Sequence, residues 1–323
     1  MANNTILRKI MSFSPYIEVM IRNIYWKNYN IFSKYKQKKE TKKTLEINKN
    51  IFPKIIEKLI SLGIKKGSLI VVHSAYGPLK ITGLKPNEII DELLNLIGEN
   101  GTLAMPGIPY FENELIGTEY SAGNVDNIIF EYDVQKTPII TGVLPKVLFE
   151  KKNAIRSKFP INSMVAFGPL AKEMMKNNFN AQDPLPCGIG STWDFCEKNN
   201  AIIIGLGTDL THSLTMIHVA EDRLDKKWPV KNWYRLKKFR IKDGDYCEEK
   251  ILRERHPKWG TLHYAERTLC KDLIDTGILK TTEVEGVLLE VIKSNELLNF
   301  LNKKNEHGYP YYGVKKYLSD KNN

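Results

Sequence analysis

The segment from Ala201 to Asp222 constrains the fold most, because it places a β-branched run, two closely spaced glycines and a helix-compatible stretch in direct succession. Ala201-Ile202-Ile203-Ile204 is short and is stopped by Gly205 and Gly207, so it reads as a buried strand rather than a helix. A helix is expected next, with Ser213 or Thr215 capping its first turn and Ala220, Glu221 and Arg223 continuing it. In open α/β sheets, ligands bind at the carboxyl ends of strands, beside such helix starts. His218 falls at that place, and Glu221 lies one turn further on as a candidate substrate ligand. A lone histidine beside a strand end is also read as a satisfied structural residue, so the rest of the chain has to decide.

The alternation extends over most of the sequence. The periodicity predicts helices over 51–62 and 85–97, closed by Gly63 and Gly98, and strands over 68–73 and 102–105. A strand over 164–167 and helices over 169–176 and 192–198 follow. This pattern specifies an α/β fold, a sheet with helices packed on its faces, and no internal repeat is present. Beyond Lys231, two strands over 233–242 and 246–255 are joined by Asp243-Gly244-Asp245, a hairpin turn signal, and helices over 264–276 and 296–304 surround them. Trp193, Trp228, Trp233 and Trp259 read as core fillers.

With 323 residues and 42% hydrophobic content, the chain can bury a substantial core. Neither an uncharged apolar stretch of spanning length nor a cleavable signal is evident, so the cytoplasm is the expected compartment. Cys187, Cys196, Cys247 and Cys270 form no C-x-x-C pair and are expected to be reduced thiols. The net charge of +11 is unevenly spread: ten Lys or Arg face only Glu18 and Glu40 before residue 44. No nucleic-acid motif accompanies this excess, so nucleic acid is not the expected partner and stays a minor alternative. The chain accordingly divides into a basic N-terminal helical arm, residues 1–44, and one domain, residues 45–323. The arm carries apolar residues at helical spacing, interrupted at Pro15. It reads either as a helix on an anionic membrane surface or as one that packs on the domain, on a partner or across a homodimer.

Six ordered fragments carry a family resemblance. They are Val72-His73-Ser74, the stretch from Gly98 to Pro106, Gly142-Val143-Leu144-Pro145, Arg156-Ser157-Lys158-Phe159-Pro160, Gly205-Leu206-Gly207, and the run from Thr215 to Glu221. In order and spacing these resemble the aminoglycoside 3-N-acetyltransferase family over residues 45–304. The resemblance implies a mixed central sheet and transfer of an acetyl group from acetyl-CoA to a primary amine of an amino sugar. It implies His218 as the general base, oriented by an acid on a later strand, for which Glu254 is the candidate.

The chemistry suits these residues. An alkylammonium is not a nucleophile, and a neutral imidazole can take its proton near pH 7 while a carboxylate fixes the tautomer. Backbone N–H groups around His73, Ser74 and Ala75 are candidate donors to the thioester oxygen. Arg156 and Ser157 are candidates for the phosphates of coenzyme A, with a structural ion pair as the other reading of Arg156. Tyr110 and Glu112, with Glu114, occupy a loop after a strand end and suit a cationic acceptor.

Three departures from the family pattern bear on the acceptor. Phe159 stands where many members have histidine, His256 where some have a second acid facing the substrate, and Asp209–Leu214 adds residues, including His212, before the histidine motif. An aminoglycoside and a nucleotide-linked or surface-glycan amino sugar therefore both remain as acceptors. The rival readings are an inactive homologue acting as a binding or scaffold module, and a metal-dependent hydrolase. The histidines show no H-x-x-x-H spacing, and no metal is expected.

Overall fold

A computed structural model describes residues 6–29, 47–176, 179, 183–306 and 308–312. Seven of the ten strands among the described residues form one sheet. In chain order the strands are β1 (Leu69–Ser74), β2 (Thr102–Pro106), β3 (Ile129–Asp133), β4 (Ile155–Arg156), β5 (Met164–Phe167), β6 (Ile202–Leu206), β7 (Tyr234–Asp243), β8 (Tyr246–Arg255), β9 (Lys280–Val284) and β10 (Val287–Lys293). The large sheet has the order β4-β5-β2-β1-β6-β10-β9. Its centre, β2-β1-β6, is parallel, and both flanks are antiparallel, so the sheet is mixed.

Strand alternation gives this sheet two buried faces. Leu69 and Val71 of β1 and Ile203 of β6 enter one core, while Ile70 and Val72 with Ile202 and Ile204 enter the other. Helices Ile51–Ser61 and Pro86–Ile97 cover the second face through Ile55, Leu59, Ile89 and Leu93. Helices Thr192–Lys198, Glu266–Asp275 and Ser294–Glu306 cover the first. All four tryptophans of the domain are buried, as their sequence surroundings predict.

A second sheet, β3-β7-β8, carries its own small core of Phe130, Tyr132, Phe239, Ile241 and Leu252. The predicted hairpin is its main part, with Gly244 at φ +61° in the turn. β9 and β10 escape the sequence reading, although Glu285-Gly286 between them, at φ 48° and 85°, is a turn of the kind that joins tight hairpins.

The arm packs on the domain over its described length. Helix Pro15–Lys27 buries Glu18 completely, and its carboxylate accepts from the backbone N–H of Arg267 and Thr268 at 3.0 and 2.9 Å. It thus caps helix Glu266–Asp275 from outside, supplying acceptors that the helix start lacks. Arg22 donates to the carbonyls of Gly260 and Thr261, and Asn23 to that of Leu262 at 2.7 Å. Of the positions first considered for the arm, residues 6–29 show packing on the domain. The lysine-rich stretch from Lys34 to Lys43 and the domain start at residue 45 lie outside the described residues.

Candidate active site

β1 and β6 are neighbouring parallel strands, and their carboxyl ends open into one crevice. Gly207, just past β6, has φ +71°, and a Cβ there would stand 2.8 Å from the Ala75 carbonyl oxygen. Only glycine lets the two strand ends approach this closely. The chain then runs through a loop and a single 3₁₀ turn, Thr215–Ile217, into helix His218–Asp222. Neither Ser213 nor Thr215 caps that helix; the preceding 3₁₀ turn leads straight into it, with no side-chain cap.

His218 lines a cleft of about 310 Å³ between the loop after β6, the end of β8 and the segment Trp259–His263. Its Nδ1 lies 2.8 Å from Glu221 Oε2, three residues on along the same helix. Burial first, then the nearby Arg255, hold the imidazole below the ordinary histidine value, although Glu221 opposes them. Burial pushes Glu221 up, but His218, Arg255 and the Tyr312 hydroxyl outweigh it and keep the carboxyl below its usual range. Tyr312 donates to Glu221 from the far side. With Nδ1 taken, Nε2 is the ring nitrogen left for the cleft, in a neutral ring whose tautomer the carboxylate selects.

The carboxylate hydrogen-bonded to His218 is therefore Glu221 and not Glu254. Glu254 sits opposite Arg235 in the β7–β8 register, 2.7 Å from its Nε, and 3.6 Å from Lys237 Nζ. It lines the same cleft as His218 but is held in a cross-strand ion pair. Glu221, first considered a substrate ligand, is buried behind His218. His256 lines neither this cleft nor its neighbours. Its Nδ1 instead accepts from the Lys258 backbone N–H, and burial with Lys258 and Arg235 pushes its ring down to about 4.

A second hollow, about 410 Å³, adjoins the first and shares Tyr120, Ile161, Asn162 and Glu254 with it. Tyr110 and Glu112 line it, as the loop after β2 predicts, and so does Glu114, which pairs with Lys237. Tyr120 stands between the two hollows. Burial and the acids Glu254 and Glu114 push its hydroxyl up to about 12, so it stays a donor. No motif in the sequence marks Tyr120 or Tyr312.

A third, narrower slot of about 130 Å³ lies at the end of β1, lined by His73, Ser74, Thr141, Thr208 and Ser213; Ser213 also borders the main cleft. His73 is buried, burial alone pushes it down to about 4, and its Nε2 has no hydrogen-bond partner. A buried orphan nitrogen with four hydroxyls fits a polar, uncharged arm such as pantetheine. Ala75 does not serve as an oxyanion donor, because its N–H already donates to the Leu206 carbonyl at 3.0 Å.

Arg156 and Ser157 are not phosphate ligands either. Arg156 is buried, donates to the carbonyls of Gly107 at 2.9 Å and Thr137 at 2.6 Å, and lies over the Tyr132 ring. Ser157, equally buried, accepts from the Phe159 N–H in a tight turn. Among the described residues, no three His, Cys, Asp or Glu side chains come together as a metal-binding group, and no helix is long and apolar enough to cross a membrane. All four cysteines are free thiols.

Known proteins share this fold. A family model described as aminoglycoside 3-N-acetyltransferase matches residues 71–305. Aminoglycoside N(3)-acetyltransferase IX of Micromonospora chalcea is 27% identical over 174 residues, 52% of this chain and 60% of that protein. The SPbeta prophage-derived aminoglycoside N(3')-acetyltransferase-like protein YokD of Bacillus subtilis is 29% identical over 180 residues, 53% of this chain and 64% of that protein. The match thus spans less than two thirds of these relatives' length. The solved aminoglycoside acetyltransferase AAC(3)-IIb superposes with a TM-score of 0.65 at 20% identity, covering 83% of this chain and 99% of that one. AAC-IIIb, solved with CoASH, gives 0.63 at 19% identity over 78% and 95%. With most of its length matched by the family model and the same fold around its crevice, this chain belongs to the aminoglycoside 3-N-acetyltransferase family.

Proposed function

We propose that this protein transfers an acetyl group from acetyl-CoA to a primary amine of an amino sugar, with His218 as the general base. The observation that carries the reading is the His218–Glu221 pair at 2.8 Å, on a cleft that shares Ser213 with a slot holding an unpartnered His73 nitrogen. Relatives bound to CoASH, to sisomicin and to apramycin in the same fold support the donor and the acceptor class. Bound acetyl-CoA would supply an activated acyl carbonyl. His73, Ser74, Thr141, Thr208 and Ser213 would hold its thioester arm at the end of β1.

The chain's own contribution is positional and electrostatic. Glu221 accepts the Nδ1–H of His218, which leaves the Nε2 lone pair to take the proton of the acceptor amine as its nitrogen bonds to the carbonyl carbon. The imidazolium that forms is stabilised by the same carboxylate, and Tyr312 keeps that carboxylate in place. The thiolate of coenzyme A is the leaving group, and the proton on His218 can follow it. Tyr110, Tyr120 and Glu112 line the side where the acceptor ring would lie.

The test is thiol release from acetyl-CoA against a panel of amines, kanamycin-type aminoglycosides and nucleotide-linked amino sugars included. His218→Ala is expected to lower kcat by a factor on the order of hundreds or more while coenzyme A binding is retained. Near-normal turnover in that variant would remove His218 from the mechanism.

A further inference from the structure

The arm lies outside residues 71–305, yet Arg22 of the arm lines the same cleft as His218. Its guanidinium lies 2.7 Å from Glu266, 3.8 Å from Glu18, and bonds the carbonyls of Gly260 and Thr261. Glu266 is also 2.9 Å from His212 Nδ1. Beyond the rim, Tyr29, the last described residue of the arm, packs against Gly117, beside the second hollow.

Arg22 matters for the charge that an acceptor meets. Glu254 is paired with Arg235 and Lys237, Glu114 with Lys237, and Glu266 with Arg22 and His212. Asp222 accepts from the Cys187 N–H and the Tyr234 hydroxyl, and burial followed by Glu221 pushes it up to about 7. Apart from Asp222, only exposed Glu112 has no cationic partner among the described carboxylates of the two hollows. A sugar with several ammonium groups needs a carboxylate for each one it buries, since an unpaired buried cation is strongly disfavoured.

We infer that the N-terminal arm is a specificity element of the acceptor cleft, in which Arg22 neutralises Glu266 so that the site takes an acceptor with a single ammonium group. The inference rests on the acetyl-transfer reading for its substrate class. Arg22 is not a catalytic residue; it sets the charge of the wall through Glu266.

Glucosamine and kanamycin are the probes, compared as acceptors for the full-length protein and for Arg22→Gln. The wild type is expected to have the higher kcat/KM for glucosamine. Arg22→Gln removes the permanent cation from Glu266, leaving His212 as its neighbour, and is expected to lower the KM for kanamycin roughly fivefold, with the KM for glucosamine unchanged within about twofold. Arg22→Lys keeps the charge and should keep the wild-type preference. Asn23→Ala removes a neighbouring rim bond without changing charge, and should move both acceptors by the same factor. A wild type that prefers kanamycin, or an Arg22→Gln effect equal on both acceptors, would overturn the inference. If neither acceptor is acetylated, the transfer reading fails first. Calorimetric binding of the two probes to wild type and Arg22→Gln then decides the charge argument, and equal shifts or no binding of either would overturn it.

Discussion

At His218 the proton inventory of the site can be read from pH. The base form is the neutral ring, and burial with Arg255 holds its pKa below the ordinary value of 6.5. As pH rises, kcat should therefore climb through a limb centred below 6.5 and be level by neutrality. Glu221 raises the His218 value, so Glu221→Gln should move that limb to lower pH. The same variant replaces the carboxylate that accepts the Nδ1–H by a neutral amide that can also present its NH2, so it no longer fixes the tautomer or stabilises the imidazolium, and should lower kcat on the order of a hundredfold or more. Glu254→Gln should leave the limb in place and act on KM, because its carboxylate bonds Arg235 rather than the imidazole. A pH–rate profile of both variants separates the two acids, and a limb that moves only in Glu254→Gln would reverse the assignment. His218 was legible because a strand, a glycine turn and a helix start are local patterns. Glu221 was visible too, three residues away on the same helix, yet family resemblance drew the orienting role to Glu254. Tyr312 was not legible, since nothing local ties a residue 91 positions on to Glu221. Arg156 and Ser157 have phosphate-binding chemistry in sequence, and only burial reveals that backbone carbonyls and a turn already use it.

Two elements set the shape of the cleft and can be tested as elements. Glu18 closes the start of helix Glu266–Asp275, so Glu18→Ala leaves the N–H groups of Arg267 and Thr268 and the Thr268 hydroxyl without that acceptor. A lost cap costs about 1 kcal/mol, which should lower Tm by a few degrees and speed hydrogen exchange at those two amides. Unchanged protection there would mean that the arm does not hold the helix. Gly207→Ala meets both a left-handed φ and the Ala75 carbonyl, and should destabilise the protein by roughly 1–3 kcal/mol, measured by denaturant unfolding. The helices and central strands were readable because their apolar spacing is long and regular. β4, with two residues, is too short to show a period, and β9 buries none of its residues and has Val284 as its one apolar side chain, too little to stand out. The arm's position was undecidable from its own pattern. One amphipathic face serves a lipid surface and a protein surface alike, and the buried Glu18 that settles the matter for residues 6–29 depends on helix Glu266–Asp275 far away in sequence.

The molecule as a whole is two sheets of unequal security with the site between them. The large sheet has a core on each face, and His218 follows its central strand β6. The small sheet has one limited core, and it supplies Glu254 and Arg255 from the end of β8 to the opposite wall of the cleft. Cooperative opening starts where the least apolar surface is buried, so β7 and β8 should exchange their amide hydrogens before β1 and β6. An acceptor bound in the cleft would touch both walls and stabilise them together by mass action, whereas a donor confined to the slot at the end of β1 would touch only the large sheet. Saturating acceptor should therefore slow exchange in β7 and β8 with little change in β1 and β6, and coenzyme A alone should not. The sequence reading finds the central strands of the large sheet and the β7–β8 hairpin, yet the unequal cores emerge only from tertiary packing, because the hairpin's strands are as long and as regular as any described. Hydrogen exchange followed by peptide mass spectrometry, with each ligand separately, checks this. Uniform protection across both sheets with the acceptor would mean that they open together, and the cleft would then be a fixed wall rather than a seam between two cooperative units.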